Sequence, residues 1–175
     1  MDDAPPPQPP EAIRALAEDL AAGRQEFLSA LADVDPALVT TPGMVGEWSA
    51  REVVAHMGYW AGHAAEAIHH AEQGRLDEFD QGNDSGVDER NAVVARVARE
   101  TDMATVLARE EAAFTAFLSR ILTTDPEWLS ERDPDGDTLD EIIHYDGADH
   151  YREHARDIRA WFSGTDADEA ASADD

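Results

Sequence analysis

The run from Asp140 to Phe162, DEIIHYDGADHYREHARDIRAWF, decides how this chain is read. At 100° per residue, Leu139, Ile143, Gly147, His150, His154, Ile158 and Trp161 fall within one arc of about 100°, the width of a core-facing stripe. The spacing predicts one amphipathic helix over residues 138–162, capped by Asp137 or Thr138 and stopped at Gly164. It also puts His150 and His154 on the buried face, one turn apart. Side chains at i and i+4 stand about 5–6 Å apart at Cβ, close enough to share one metal ion. A buried imidazole needs partners for its ring nitrogens. Polar groups in the core are one way to supply them, and a shared ion is the other. The residues between the pair are Tyr-Arg-Glu, so the HExxH pattern of a zinc protease is absent.

The same helical period runs outward through the chain. Ile13, Leu16, Leu20, Phe27, Leu28 and Leu31 stripe a first helix over 11–32. Val53, Met57, Trp60, Ala61, Ala64 and Ile68 stripe a second over 50–73, with Ser49 and Glu52 as a capping box and Gly74 as its end. After a polar loop over 75–88, a short helix is expected over 89–100. A long one follows over 102–122, carrying Met103, Val106, Leu107, Phe114, Phe117, Leu118 and Ile121. Their stripes are about half a turn out of phase, which places a break near Thr101. The fold class is therefore all-α: an antiparallel four-helix bundle with an extra short helix in the link between its second and third long helices. A Pro-rich tail over 1–10 and an acidic tail over 165–175 flank one domain over 11–164, and both tails are expected to be disordered.

Composition removes several classes of function. The 175 residues include 39 acidic and 13 basic ones, for a net charge of −26, and every basic residue is Arg. Such a surface repels nucleic-acid phosphates and anionic lipid, so neither is an expected partner. The excess charge itself reads as a solubility feature, suited to high salt where self-repulsion is screened. With no Cys there is no disulfide framework, thiolate metal site or cysteine nucleophile. No apolar run is long enough to span a bilayer, and the acidic, Pro-rich start lacks the form of a signal peptide, so a cytoplasmic location is expected. No Gly-rich phosphate loop or GxSxG motif occurs.

A histidine pair needs a third ligand. His56, His63 and His70 share one flank of the second helix. His56 is preferred, because it lies deepest beside Val53 and Trp60, and His63 is the runner-up. His69 and His70, near the helix end, read as surface residues, and His144 points about 120° away from the pair. On the third long helix Glu110 falls in the middle of the apolar stripe, where a lone carboxylate is costly unless paired. Either an arginine satisfies it, or it faces the metal pocket and serves as the catalytic base. Asp146 and Asp149 are weaker candidates to support the ligands. Tyr59, Trp60 and Tyr151 line the pocket or belong to the core.

Three segments together resemble a known group: GEWSAREVVAHMGYW (46–60), DERNAVVARVARETDMATVLAREEAAF (88–114) and DHYREHARDIRAWF (149–162). They are similar to the DinB-like superfamily of four-helix bundles, which includes mycothiol-dependent maleylpyruvate isomerases and the ClbS and DfsB proteins. The resemblance covers about residues 11–162. It implies a divalent metal on His56, His150 and His154, with Zn preferred and Ni or Fe as alternatives. It further implies a small-molecule substrate, a low-molecular-weight thiol as a possible cofactor, and a homodimer. The expected activity is that of a metal-dependent hydrolase or a thiol-dependent transferase or isomerase. A non-enzymatic metal- or small-molecule-binding stress protein on the same fold is the alternative.

Overall fold

The structure is a computed structural model that describes residues 8–82 and 84–172. Most of the Pro-rich tail and the last three residues of the acidic tail lie outside the described residues. Among the described residues six α-helices follow in order: α1 (Glu11–Ala32), α2 (Ala50–Glu72), α3 (Asp84–Arg99), α4 (Met103–Thr123), α5 (Leu139–His144) and α6 (His150–Ser172). Between α5 and α6, Tyr145–Asp149 form a single π-helical turn. Short 3-10 turns occupy Leu76–Glu78 and Pro126–Ser130. Among the described residues there is no strand, only two isolated bridges, Val45–Trp48 and Arg132–Thr138.

The expected bundle is present. α2 packs on α4, and α1 packs on both α6 and α4, while the α5–π–α6 segment closes against α2. α3 is the extra helix of the link and lies outside, on α2. The interior is filled by Ile13, Leu20 and Phe27 of α1, Val53 and Met57 of α2, Phe117 and Ile121 of α4, and Leu139, Tyr151 and Ile158 of the last segment. Burying each large aliphatic or aromatic side chain of this kind contributes about 1.5–3 kcal/mol.

Helix ends follow local chemistry. The Glu52 carboxylate reaches back to the Ser49 N–H at 2.9 Å, completing the backbone half of the capping box. Ser49 Oγ itself has no hydrogen-bond partner. Thr138 caps α5 by accepting from the Glu141 N–H at 3.2 Å, and its own N–H donates to Glu141 Oε2 at 2.8 Å. The break at Thr101 is present, and Asp102 caps α4 by accepting from Thr105 N–H at 2.9 Å.

Three features depart from the sequence reading. α3 begins at Asp84, inside the segment read as loop, with the acidic Asp88 and Glu89 near the end of a helix that favours negative charge. The last helix runs through Gly164 to Ser172, since a single glycine costs a helix only about 1 kcal/mol relative to Ala. The largest departure is the π turn. Gly147 within it has φ −105° and ψ −113°, outside the helical region. The residue that lets α1 approach this turn is Gly23, whose absent Cβ would lie 2.8 Å from the Ala148 carbonyl oxygen. The atom in the way is backbone and cannot swing aside. Gly23→Ala is therefore expected to destabilise the protein by about 1–3 kcal/mol, the usual cost of overpacking. Urea titration checks this as a lower midpoint at unchanged slope, and an unchanged midpoint would refute it.

Candidate metal centre

The π turn sets the site. A wide turn inserts one extra residue into the helical count, so everything after it is rotated by about one residue, or 100°. Before the turn, Leu139, Ile142 and Ile143 face the core; after it, Tyr151, Ala155 and Ile158 do. Continued without a break, the stripe would have centred on His150. Instead Tyr151 takes the core position with 0% exposure, and His150 moves to the flank at half-burial. His154, one turn on, is buried beside it.

On the facing helix, His56 lies next to the buried Val53 and Met57 and is itself 6% exposed. A tight turn brings Trp48 over it. Gly46, at φ 57°, permits the reversal that pairs Val45 with Trp48, and the Trp48 ring centroid stands 5.0 Å from that of His56.

The three imidazoles form a nearly equilateral group, with ring centroids 4.8, 5.1 and 4.9 Å apart. One ring nitrogen from each lies within 4.8 Å of the others. His56 Nε2 and His150 Nε2 are 2.9 Å apart. His154 Nδ1 is 2.9 Å from Asp157 Oδ2. A carboxylate only accepts, so Nδ1 of His154 donates to Asp157, which leaves Nε2 as the nitrogen able to take a metal. That buried Nε2 has no hydrogen-bond partner. A carboxylate behind the outer nitrogen of a histidine is the usual support of a metal ligand.

Burial holds His56 far below the ordinary histidine range, at about 2, helped by His150 and His154 close by. His150 is pushed down to about 3 by burial and then by His154. Both rings are thus neutral at physiological pH, the form a metal requires. The donor set fits a divalent transition ion: three ring nitrogens close together, that of His154 buried with no hydrogen-bond partner, and one supporting carboxylate.

These residues form one wall of a cavity of about 830 Å³. Trp60, Asn91 and Ile142 line it as well. Trp60 Nε1–H donates to Asn91 Oδ1 at 3.0 Å, which ties α3 to the cavity wall.

The structure brings His56, His150 and His154 together and leaves the other candidates elsewhere. His63, the runner-up, is buried on the far side of Trp60, with Nδ1 3.2 Å from Asp146 Oδ2 and Nε2 3.4 Å from the Asp80 carbonyl oxygen. His69 and His70 sit at the end of α2, engaged with Glu72 and the Arg75 carbonyl. His144 pairs with Asp19 at 3.8 Å. Asp149 is exposed at the cavity edge.

Glu110 requires a correction. It does not face the histidines and is not placed to act as a catalytic base. Arg24 Nε and Nη2 donate to its two oxygens at 2.9 and 2.7 Å, and Tyr151 O–H donates to Oε1 at 2.6 Å. Its core position is satisfied by an arginine on α1, the other alternative that the sequence had left open. The Arg24 guanidinium also lies 4.3 Å over the Phe114 ring. Burial pushes the Tyr151 hydroxyl far upward, with the Glu110 charge acting in the same direction, so it stays a donor. Trp60 lines the cavity, whereas Tyr151 belongs to the core and Tyr59 to a groove on the other side of α2.

Sequence reasoning missed Asp157, Trp48 and the π turn. Asp157 stood three residues after His154, a spacing that places both on one helix face. Gly147, isolated inside a helical pattern, was the only local sign of the bulge.

The comparisons with known proteins agree with this fold. The family model described as mycothiol maleylpyruvate isomerase N-terminal domain matches residues 20–145. No curated protein matches the sequence. Among solved structures, an uncharacterised protein from Escherichia coli UTI89 superposes with a TM-score of 0.74 at 15% identity, covering 91% of this chain and 96% of its own. The colibactin self-resistance protein ClbS, solved with double-stranded DNA, has a TM-score of 0.70 at 13% identity, with 89% and 96% covered. A mycothiol-dependent maleylpyruvate isomerase has a TM-score of 0.66 at 16% identity; the match covers 83% of this chain but 60% of that enzyme. At these identities the likeness is one of fold.

Two outcomes follow from the site's electrostatics. The folded metal-free protein refuses protons that the unfolded chain's histidines take up below about pH 6.5. Stability is therefore complete above that pH and falls as the pH drops toward the folded values, by at most about 2.7 kcal/mol per pH unit for the two rings. Urea titrations at pH 7.5 and 5.0 should show this loss, and a His56→Gln/His150→Gln variant should show a flatter profile. Separately, Arg24→Met strands a buried carboxylate and is expected to cost about 3–5 kcal/mol while leaving metal content unchanged. Loss of metal together with Arg24 would place Glu110 back at the site.

Proposed function

The chain belongs to the mycothiol maleylpyruvate isomerase N-terminal domain family, within the DinB-like superfamily, and from that premise we propose that it is a divalent-metal-dependent enzyme acting on a small molecule. The observation that carries this reading is the buried Nε2 of His154, which has no partner and belongs to the same three-histidine group as His56 and His150. His56, His150 and His154 would hold the ion, with zinc the best match to three nitrogen donors and nickel or iron as alternatives. When bound, such an ion supplies a Lewis acid with an open position for water or a thiolate.

The rest of the chemistry falls to the chain itself. Asp157 fixes the tautomer of His154 and orients its ring. Trp48 packs over His56 and keeps water from its outer face. The cavity beyond has room for a small molecule and a thiol side by side. The reaction class is hydrolysis, or transfer or isomerisation assisted by a low-molecular-weight thiol such as the one the related isomerase uses. Under this reading the protein works in the cytosol as a homodimer. The DNA bound by ClbS does not carry over, because a net charge of −26 opposes a polyphosphate ligand.

Metal analysis of the purified protein tests the proposal. About one ion per chain is expected, with affinity reduced at least tenfold in His150→Ala and His154→Ala and about 10–100-fold in Asp157→Asn. Equal and low metal content in the wild type and His150→Ala after supplementation would sink the metal site. A substrate screen with thiols and activated electrophiles, run on metal-loaded and stripped protein, separates an enzyme from a non-catalytic binder on the same fold.

A further inference from the structure

The cavity beside the three histidines carries an uneven charge. Among the described residues Asp137, Glu141, Asp146, Asp149 and Glu153 line it, against Arg156 as the one arginine. Outside the cavity, arginines answer some of the carboxylates: Arg152 binds Asp19 and Glu26, Arg99 binds Glu52, and Arg120 binds Glu72. Within the cavity, Asp146 is engaged by His63, Glu141 by Thr138 and Asp137 by Gln81. Asp149 and Glu153 have no hydrogen bond or ion pair among the described residues. They stand four apart across the start of α6, each directly before one of the histidines, so their like charges meet on one face.

Two further observations point to a ligand. His154, 6% exposed, presents its partnerless Nε2 from the wall of this same cavity. Aromatic faces also stand at the mouth. The Tyr145 side, 72% exposed, is stacked near His150 at 6.5 Å, and Trp48 and Trp60 line the interior. Carboxylates interleaved with aromatic faces form the surroundings that hold an organic ammonium group, through charge and through the ring quadrupole. A cleft with low-dielectric walls focuses such a field. Burial pushes the Asp146 carboxyl up, but the four exposed carboxylates against one guanidinium still outweigh the charge of a divalent ion on the histidines.

We propose that the substrate of this cavity is an organic cation, a small molecule bearing at least one protonated amine, that Asp149 and Glu153 hold its ammonium group, and that dicarboxylates are excluded. The proposal names the substrate class for the metal-dependent reading above and rests on it, but its binding test does not need the metal.

The probes are 1,5-diaminopentane and glutarate, two molecules of equal chain length and opposite charge. Calorimetric titration of each into metal-loaded and metal-stripped protein gives the affinities, with metal content measured on the same samples. The diamine is expected to bind at least tenfold more tightly than glutarate. Asp149→Asn/Glu153→Gln is expected to weaken diamine binding at least tenfold. The charge-matched pair Glu11→Gln/Glu18→Gln, on exposed positions of α1, should leave it unchanged. Glutarate binding as tightly as the diamine overturns the proposal. So does an equal loss in both double variants, which would mean bulk charge alone. A protein that binds the diamine as expected yet takes up no metal refutes the metal reading and leaves the cation site standing.

Discussion

The one wide turn at Tyr145–Asp149 governs the rest of the molecule. A helix that continued at 3.6 residues per turn would bring His150 to the centre of the core and carry Tyr151 off it. The extra residue reverses that assignment. It needs a residue without a side chain at its centre, and Gly147 meets the requirement: a Cβ there would stand 3.2 Å from the Phe117 ring and 3.3 Å from Leu20. Gly23 meets the matching requirement on α1. The turn is thus held between two helices that touch it closely, and its two products, a core tyrosine and a flank histidine, are consequences of packing rather than of local preference. π turns of this kind recur at functional sites because they rotate a side chain without moving a helix.

Tyr151, placed by that turn, completes the other polar feature of the interior. It gives Glu110 a third hydrogen bond beside the two from Arg24. A carboxylate at a core position of α4 is thereby held by α1 on one side and α6 on the other. A group with every oxygen engaged is a brace, not a base. Gly58 on α2 lets α4 approach here, since a Cβ would stand 3.0 Å from the Glu110 Cα. The metal candidates and this brace therefore share one helix segment, with His150 and Tyr151 adjacent in sequence and facing different compartments.

Much of this could be read from the sequence, and the parts that could not have a common cause. Apolar period located α1, α2 and α4 within a residue or so, because each carries a stripe of large side chains and a recognisable cap. The same period brought His150 and His154 to the interior side of their helix, and the depth of His56 within α2 singled it out from His63. The resemblance to the DinB-like superfamily pointed to the same three. What periodicity cannot register is a change of period. One glycine in DGAD was the entire local trace of the π turn, and a phase drawn straight through it left Tyr151 off the core stripe. Partnership across helices was equally out of reach. Arg24 and Glu110 are separated by 86 positions, and nothing in either neighbourhood names the other.

The electrostatics of the molecule divide into two populations. The arginine–carboxylate pairs that fasten α6 to α1 and α3 to α2 are at least partly exposed, Arg99 by 53% and Arg152 by 29%. Dissolved ions reach them, and at about 1 M salt the screening length shrinks to about 3 Å. Glu110, at 1% exposure, is beyond that reach. A concentrated brine that quiets the repulsion among 39 acidic side chains therefore also loosens the exterior clasps, while the Arg24–Glu110–Tyr151 brace keeps its strength. The medium tunes the shell of this protein and leaves the interior joint untouched.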